Sequence, residues 1–120
     1  MAKILIVDDD TLITTLMQTL VSMDGHEGIV VNDSTRAVEV AKSVNPDLIT
    51  LDLMMPNLSG FDLCALLRAE PEFARTPIII VSAKEDPRTK ETAFAAGATA
   101  YITKPFNIEE FLSTIKKLIS

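Results

Sequence analysis

Three carboxylates end two apolar runs. Asp8 and Asp9 follow Ile4-Leu5-Ile6-Val7, and Asp52 follows Leu48-Ile49-Thr50-Leu51. A carboxylate is a hard oxygen ligand for a small divalent cation, and it can attack as a nucleophile without help from a base. If both runs are strands lying side by side in one parallel sheet, the three groups meet at one edge. Such a cluster repels itself, so it must raise a pKa or capture a cation. The pattern points to magnesium and phosphate chemistry. Two more polar residues end apolar runs: Ser82 after Ile78-Ile79-Ile80-Val81, and Lys104 after Tyr101-Ile102-Thr103. Taken singly, a strand-end Asp is a turn former or helix cap, a Ser is a turn residue, and a Lys before Pro is a solvated loop residue. Turn formation does not account for all of them converging on one sheet edge.

The elements needed to position them are legible as five strand–helix units. Strand one spans Lys3 to Val7, and helix one runs from Thr11 to Met23, with Leu12, Leu16, Leu20 and Met23 near helical spacing. Asp24-Gly25 stops that helix. Strand two covers Gly28 to Val31, and Asp33 or Ser34 caps a second helix reaching Val44. Pro46 breaks the chain before strand three, Leu48 to Leu51. A loop from Pro56 to Gly60 leads to helix three, Phe61 to Ala69. Strand four, Ile78 to Val81, lacks alternation and reads as buried on both faces. Asp86 or Pro87 opens helix four and Gly97 closes it. Strand five is Ala100 to Thr103, and helix five runs from Ile108 to Ile119 with Asn107 as cap. Strands alternating with helices imply an α/β fold, a parallel sheet covered on both faces, with ligands bound at the carboxyl ends of the strands.

Length and composition narrow the function. One domain of 120 residues is expected, with an aliphatic core, because hydrophobic residues are 48% and aromatic residues 5% of the chain. A net charge of −6 argues against direct nucleic-acid binding, which needs clustered cations. Lys116-Lys117, the one adjacent basic pair, suits a helix C-terminus. With one cysteine there is no intrachain disulfide. No apolar run approaches a membrane span and no signal peptide is visible, so a cytoplasmic location is expected.

The four motifs carry a specific resemblance. Val7-Asp8-Asp9, Leu51-Asp52-Leu53-Met54-Met55-Pro56 with Gly60, Val81-Ser82-Ala83 and Lys104-Pro105-Phe106 stand in the order and spacing of a receiver domain. The chain resembles the receiver domains of bacterial two-component response regulators, and is similar to the stand-alone chemotaxis regulator, from Lys3 to Ile119. The resemblance implies a flavodoxin-like three-layer sandwich with a five-stranded parallel sheet in the order 2-1-3-4-5. It implies that Asp52 accepts a phosphoryl group from a histidine kinase or phosphotransfer protein. Asp9, Asp52 and the Met54 backbone carbonyl would bind Mg2+ directly, with Asp8 acting mainly through water. Lys104 would set its ammonium on a carboxylate or phosphoryl oxygen, after a cis bond to Pro105. Ser82 would then hydrogen-bond the phosphoryl group, and Tyr101 would turn inward, shifting the face of helix four, strand five and helix five. Arg88, Glu91, Phe94, Ala95, Tyr101, Phe106 and Glu110 are its candidate contacts with a downstream protein or fused output domain. Phosphorylation-dependent dimerisation is left open, as is whether the chain is complete or a piece of a larger regulator. Met54 and Lys84 are expected to flank the path of hydrolytic water, with an apolar Met54 slowing dephosphorylation.

Three rivals are weaker. A phosphorylation-independent interaction module of the same fold has no need of the full set Asp8, Asp9, Asp52, Ser82 and Lys104. A flavodoxin-like cofactor binder requires a phosphate-cradling loop after strand one, where Asp8-Asp9-Asp10 instead repels phosphate. An aspartyl phosphatase needs a cap to enclose its substrate. Self-phosphorylation and autodephosphorylation are therefore expected, without turnover of a metabolite. Elsewhere Cys64 is expected in the core with Phe61 and Leu67, His26 is not expected to bind metal, and Met55 is expected beneath its loop. Thr14, Thr15, Gln18 and Thr19 are expected on a solvated face of helix one, open to a kinase.

Overall fold

The computed structural model describes residues 1–119; Ser120, the last residue of the expected domain, lies outside them. Five strands form one parallel sheet: β1 (Lys3–Val7), β2 (Glu27–Val31), β3 (Leu48–Leu51), β4 (Ile78–Ser82) and β5 (Ala100–Thr103). Their order is β2-β1-β3-β4-β5, as the resemblance implied. The chain winds outward from β1 to β2, then returns past β1 to β3 and proceeds the other way. The β1–β3 seam is therefore the point where winding direction reverses, and it opens a crevice at the strand carboxyl ends. Five helices cover the sheet: α1 (Thr11–Met23), α2 (Ala37–Val44), α3 (Gly60–Ala69), α4 (Pro87–Ala95) and α5 (Ile108–Ile119).

Side chains alternate between the two faces, as the strand geometry requires. Leu5, Val7, Ile49, Leu51, Ile78 and Ile80 pack with Ala37, Ala41, Leu63, Cys64, Leu67 and Ala93 from α2, α3 and α4. Ile4, Ile6, Leu48, Ile79, Val81 and Ile102 pack on the other side with Met17, Val21, Phe111 and Ile115 from α1 and α5. Each Val, Leu, Ile, Met or Phe side chain among them contributes about 1.5–3 kcal/mol on burial. The exposed Arg36–Glu39 pair, 3.7 Å apart, contributes under about 1 kcal/mol. Apolar burial, not surface pairing, holds the layers together. All five residues of β4 are buried, which is why that run showed no alternation.

Capping sets the helix starts. Asp10, Ser59, Asp86 and Asn107 each accept a backbone N–H of the first turn, from Leu12, Asp62, Thr89 and Glu110 respectively. The second helix departs from expectation in its first turn. Ser34–Arg36 form a 3-10 turn capped by the Asp33 carboxylate, and α2 begins only at Ala37.

Helix α1 requires a correction. Leu12, Leu16 and Met23 share helical spacing but face solvent, at 81%, 43% and 80% exposure. The face that meets the sheet is Thr14, Met17, Leu20 and Val21. Thr14 is thus buried rather than solvated, and its hydroxyl is satisfied there: it donates to the Thr11 carbonyl and accepts from Asn32 Nδ2. A buried polar group is tolerated when its hydrogen bonds are made. Thr15, Gln18 and Thr19 are exposed as expected.

Arg68, near the end of α3, ties three segments together. Its Nε donates to the Gly97 carbonyl, one terminal nitrogen donates to the carbonyls of Phe73 and Thr76, and the other reaches the Thr99 hydroxyl. Gly97 has φ +113, and a Cβ there would lie 2.6 Å from Arg68 Cγ, so glycine meets both a conformational and a packing demand. Arg68→Ala leaves three carbonyls without this donor and is expected to cost about 2–3 kcal/mol of stability, read as a lowered urea midpoint with an unchanged slope.

Candidate functional site

The sheet register brings the strand-end residues together. Val7 pairs with Leu51 across the β1–β3 seam, and Asp52 N–H donates to the Val7 carbonyl at 3.0 Å. Asp8 and Asp52 therefore leave adjacent strands at the same level. Carboxylate oxygens of Asp8, Asp9 and Asp52 all lie within 4.8 Å of one another. Asp8 and Asp52 are buried, at 3% and 7% exposure, while Asp9 is exposed at the mouth. Ser82 pairs with Thr103, and the Lys104 N–H donates to the Ser82 carbonyl at 2.8 Å. That bond fixes the start of the Lys104 side chain beside the cluster. The Lys104–Pro105 peptide is cis.

The Lys104 ammonium reaches both buried carboxylates. It donates to Asp8 Oδ2 at 2.7 Å and lies 3.4 Å from Asp52 Oδ1. The other Asp8 oxygen accepts the Asp10 N–H at 2.9 Å, so both Asp8 oxygens are engaged. Burial raises the Asp52 carboxyl above its ordinary range, and the neighbouring Asp8 charge pushes the same way; Lys104 offsets part of this. For Lys104, burial pulls its pKa down, but Asp8 and Asp52 outweigh it and leave it raised. The lysine stays cationic and Asp52 becomes an anion held at a cost. Three hard oxygen ligands of like charge match the preference of magnesium for carboxylates, so the residues present fit that ion.

Gly60 shapes the loop that follows Asp52. Its N–H donates to the Leu53 carbonyl, and a Cβ at this position would stand 2.1 Å from the Asp52 carbonyl oxygen. Only glycine lets the start of α3 approach the backbone carrying the candidate nucleophile. Met55 is tucked beneath the loop at 9% exposure, as expected, and Met54 projects at 61%.

On the far side, Ser82 is fully buried and its hydroxyl accepts the Lys84 N–H at 3.3 Å. The Tyr101 hydroxyl donates to the Lys84 carbonyl, with the Lys90 ammonium 5.6 Å from its ring centroid. Burial raises the Tyr101 phenol, which therefore keeps its donor proton at neutral pH. Tyr101 is thus already fastened to the loop after β4. Arg88, Glu91, Phe94, Ala95 and Glu110 are exposed, whereas Phe106 packs on Phe111 with ring centroids 5.0 Å apart.

The remaining expectations divide cleanly. Cys64 is buried, and burial pushes its thiol up, away from the reactive thiolate. His26 uses Nδ1 to accept the Ala2 N–H at 3.1 Å. An open groove of about 550 Å³ beside Gln18, Met23 and His26 lies at the opposite sheet edge, away from the carboxylates. Two contacts gave no signal in the sequence. Asn32 Nδ2 donates to the Asp8 carbonyl at 2.9 Å, and the Ser34 hydroxyl donates to the Pro56 carbonyl at 3.2 Å instead of capping a helix. Both acceptors are backbone atoms distant in the chain, so no local pattern marks them.

Comparison with known proteins agrees with this geometry. A family model described as the response regulator receiver domain matches residues 4–116. RpaA of Synechocystis sp., a DNA-binding dual master transcriptional regulator, is 36% identical over 99% of this chain and 49% of its own length. The chain spans about half the length of the curated relatives it matches. Among solved structures, chemotaxis protein CheY4 of Vibrio cholerae superimposes with a TM-score of 0.94 at 31% identity, covering 98% of both chains. The receiver domain of sensor histidine kinase PA1611 from Pseudomonas aeruginosa, solved with a magnesium ion coordinated in its active site cleft, gives a TM-score of 0.90 at 28% identity, covering 98% of this chain and 97% of its own. The chain belongs to the response regulator receiver domain family, the switch modules of two-component signalling.

Proposed function

We propose that this chain is a phosphorylation-activated switch in which Asp52 accepts a phosphoryl group from a histidine kinase or phosphotransfer protein. The observation that carries the reading is the Lys104 ammonium bridging Asp8 and Asp52 beside a third carboxylate. An Asp52 oxygen forms the new bond to phosphorus as the donor's phosphorus–nitrogen bond breaks, and the imidazole leaves with the electron pair. Asp9, Asp52 and the Met54 backbone carbonyl would hold Mg2+, with Asp8 reaching it through water. The ion supplies positive charge against the phosphoryl oxygens. Lys104 adds a second, fixed positive charge, and its hydrogen bond to Asp8 keeps it aimed at the carboxylates.

Output follows from the links around Ser82. A hydroxyl that leaves the Lys84 N–H to donate to a phosphoryl oxygen moves the loop after β4. Tyr101, fastened to the Lys84 carbonyl, transmits that displacement to β5 and the exposed residues of α4 and α5. The recipient is a downstream protein or a fused output domain, as in the DNA-binding relatives. The switch performs its own phosphorylation and dephosphorylation and turns over no metabolite.

Incubation with magnesium and acetyl phosphate is expected to add one phosphoryl group by intact mass, with none on Asp52→Ala or without magnesium. A folded chain that neither gains this mass nor binds magnesium would be an interaction module of the same fold.

Asp52 also predicts a stability signature. Its folded pKa is raised, so its favourable contribution exists below its unfolded value and is lost as pH rises through the folded one. At neutral pH in chelator, Asp52→Asn should melt a few degrees above the parent. The gap should close as pH falls through the folded Asp52 value, and magnesium should raise the parent more than the variant.

Met54→Asn replaces an exposed thioether with an amide able to orient water. It should shorten the phosphoryl lifetime by about tenfold, the worth of one hydrogen bond in the transition state, measured as loss of the phosphorylated mass after removal of donor.

A further inference from the structure

The segment leaving edge strand β2 touches both loops that carry the carboxylates. Asn32 directs Nδ2 at the Asp8 carbonyl, 2.9 Å away, and the same amide reaches Thr14 Oγ1 at 3.1 Å. Thr14 in turn donates to the Thr11 carbonyl. These bonds link the end of β1 to the first turn of α1, and so enclose Asp9 and Asp10 between two anchored points. Two residues on, the Ser34 hydroxyl donates at 3.2 Å to the carbonyl of Pro56, in the loop that follows Asp52. Ser34 is 3% exposed, so this contact is shielded from competing water.

The chemistry of the cluster makes such bracing consequential. Mutual repulsion among Asp8, Asp9 and Asp52 drives their loops apart, and Lys104 restrains only Asp8 and Asp52. Asp9 is exposed, and none of the described hydrogen bonds or ion pairs engages its carboxylate. Its position depends on the backbone on either side of it. The brace also comes from outside the β1–β3 seam, on an element that supplies no ligand.

We propose that Asn32 and Ser34 are positioning residues for magnesium: Asn32 holds the Asp8–Asp9 turn and Ser34 holds the Met54–Pro56 loop, so that the ligand oxygens are spaced before the ion arrives. Neither side chain contacts the ion or the phosphoryl group. The inference rests on the reading of the site as a magnesium-dependent phosphoacceptor. Partners of metal ligands contribute about 10–100-fold to affinity, and a contact through the adjoining backbone belongs at the lower end of that range.

The test compares parent, Asn32→Ala, Ser34→Ala and the double variant by calorimetric titration with magnesium chloride alone. Melting in chelator is measured in parallel. Each single variant is expected to weaken magnesium binding by about tenfold and the double variant further. Asn32 is exposed, so its variant is expected to fold. Phosphorylation by acetyl phosphate should need more magnesium for half-saturation, while the rate at saturating magnesium stays near that of the parent. A merely structural role would lower the melting temperature and leave the magnesium constant unmoved, and that result overturns the proposal. If the double variant does not fold, Asn32→Ala decides alone. A parent that fails to bind magnesium would instead overturn the reading of the site itself.

Discussion

Three carboxylates held within 4.8 Å of one another repel, and the arrangement around them is organised by that repulsion. Two of the three are buried, where like charges interact more strongly than in water. One partly buried ammonium faces three carboxylates. The site therefore carries residual negative charge aimed into a crevice, which attracts a divalent cation and resists a phosphate that arrives without one. Lys104 makes the cluster tolerable without abolishing its charge. Its own raised pKa is the other side of the same interaction.

The fold supplies what the charges cannot. Parallel register across the β1–β3 seam sets Asp8 and Asp52 at one level, and the β4–β5 pairing brings Lys104 to them. Both seams are buried in aliphatic side chains on two faces. Burial of this kind opposes the separation that repulsion favours. Local stability is spent at the strand ends and recovered in the sheet beneath. Gly60 and the α3 start close the loop on the Asp52 backbone without a side chain in the way.

The path from site to surface is short and made of a few bonds. Ser82 is buried beside the cluster, its hydroxyl holds the Lys84 N–H, and the Lys84 carbonyl holds Tyr101. In the proposed switch, a charge added at Asp52 would compete for the first of these contacts. The exposed residues of α4 and α5 stand at the other end. RpaA, a DNA-binding regulator, is about twice as long as this chain.

Much of this was legible in the chain itself. Apolar runs ended by Asp8-Asp9, Asp52, Ser82 and Lys104 marked both the strands and the side chains that converge, because in a parallel sheet the strand ends share one edge. Asp86, Asn107 and Gly97 marked their helix ends through local hydrogen-bonding and backbone rules that need no tertiary context. Helix α1 was legible as a helix but not in its orientation: Leu12, Leu16 and Met23 keep helical spacing while facing solvent, and Thr14 is buried because a distant Asn32 completes its hydrogen bonds. Which stripe of a helix meets the sheet depends on where the neighbouring strands lie. Arg68, Asn32 and Ser34 bond to backbone carbonyls distant in sequence, and every residue carries a carbonyl, so no residue type advertises such an acceptor. Local spacing was enough to specify the elements, their alternation and the polar residues that end the strands. Tertiary structure alone decided which faces were buried and which loops were braced, since those depend on backbone atoms brought together only by the folded sheet.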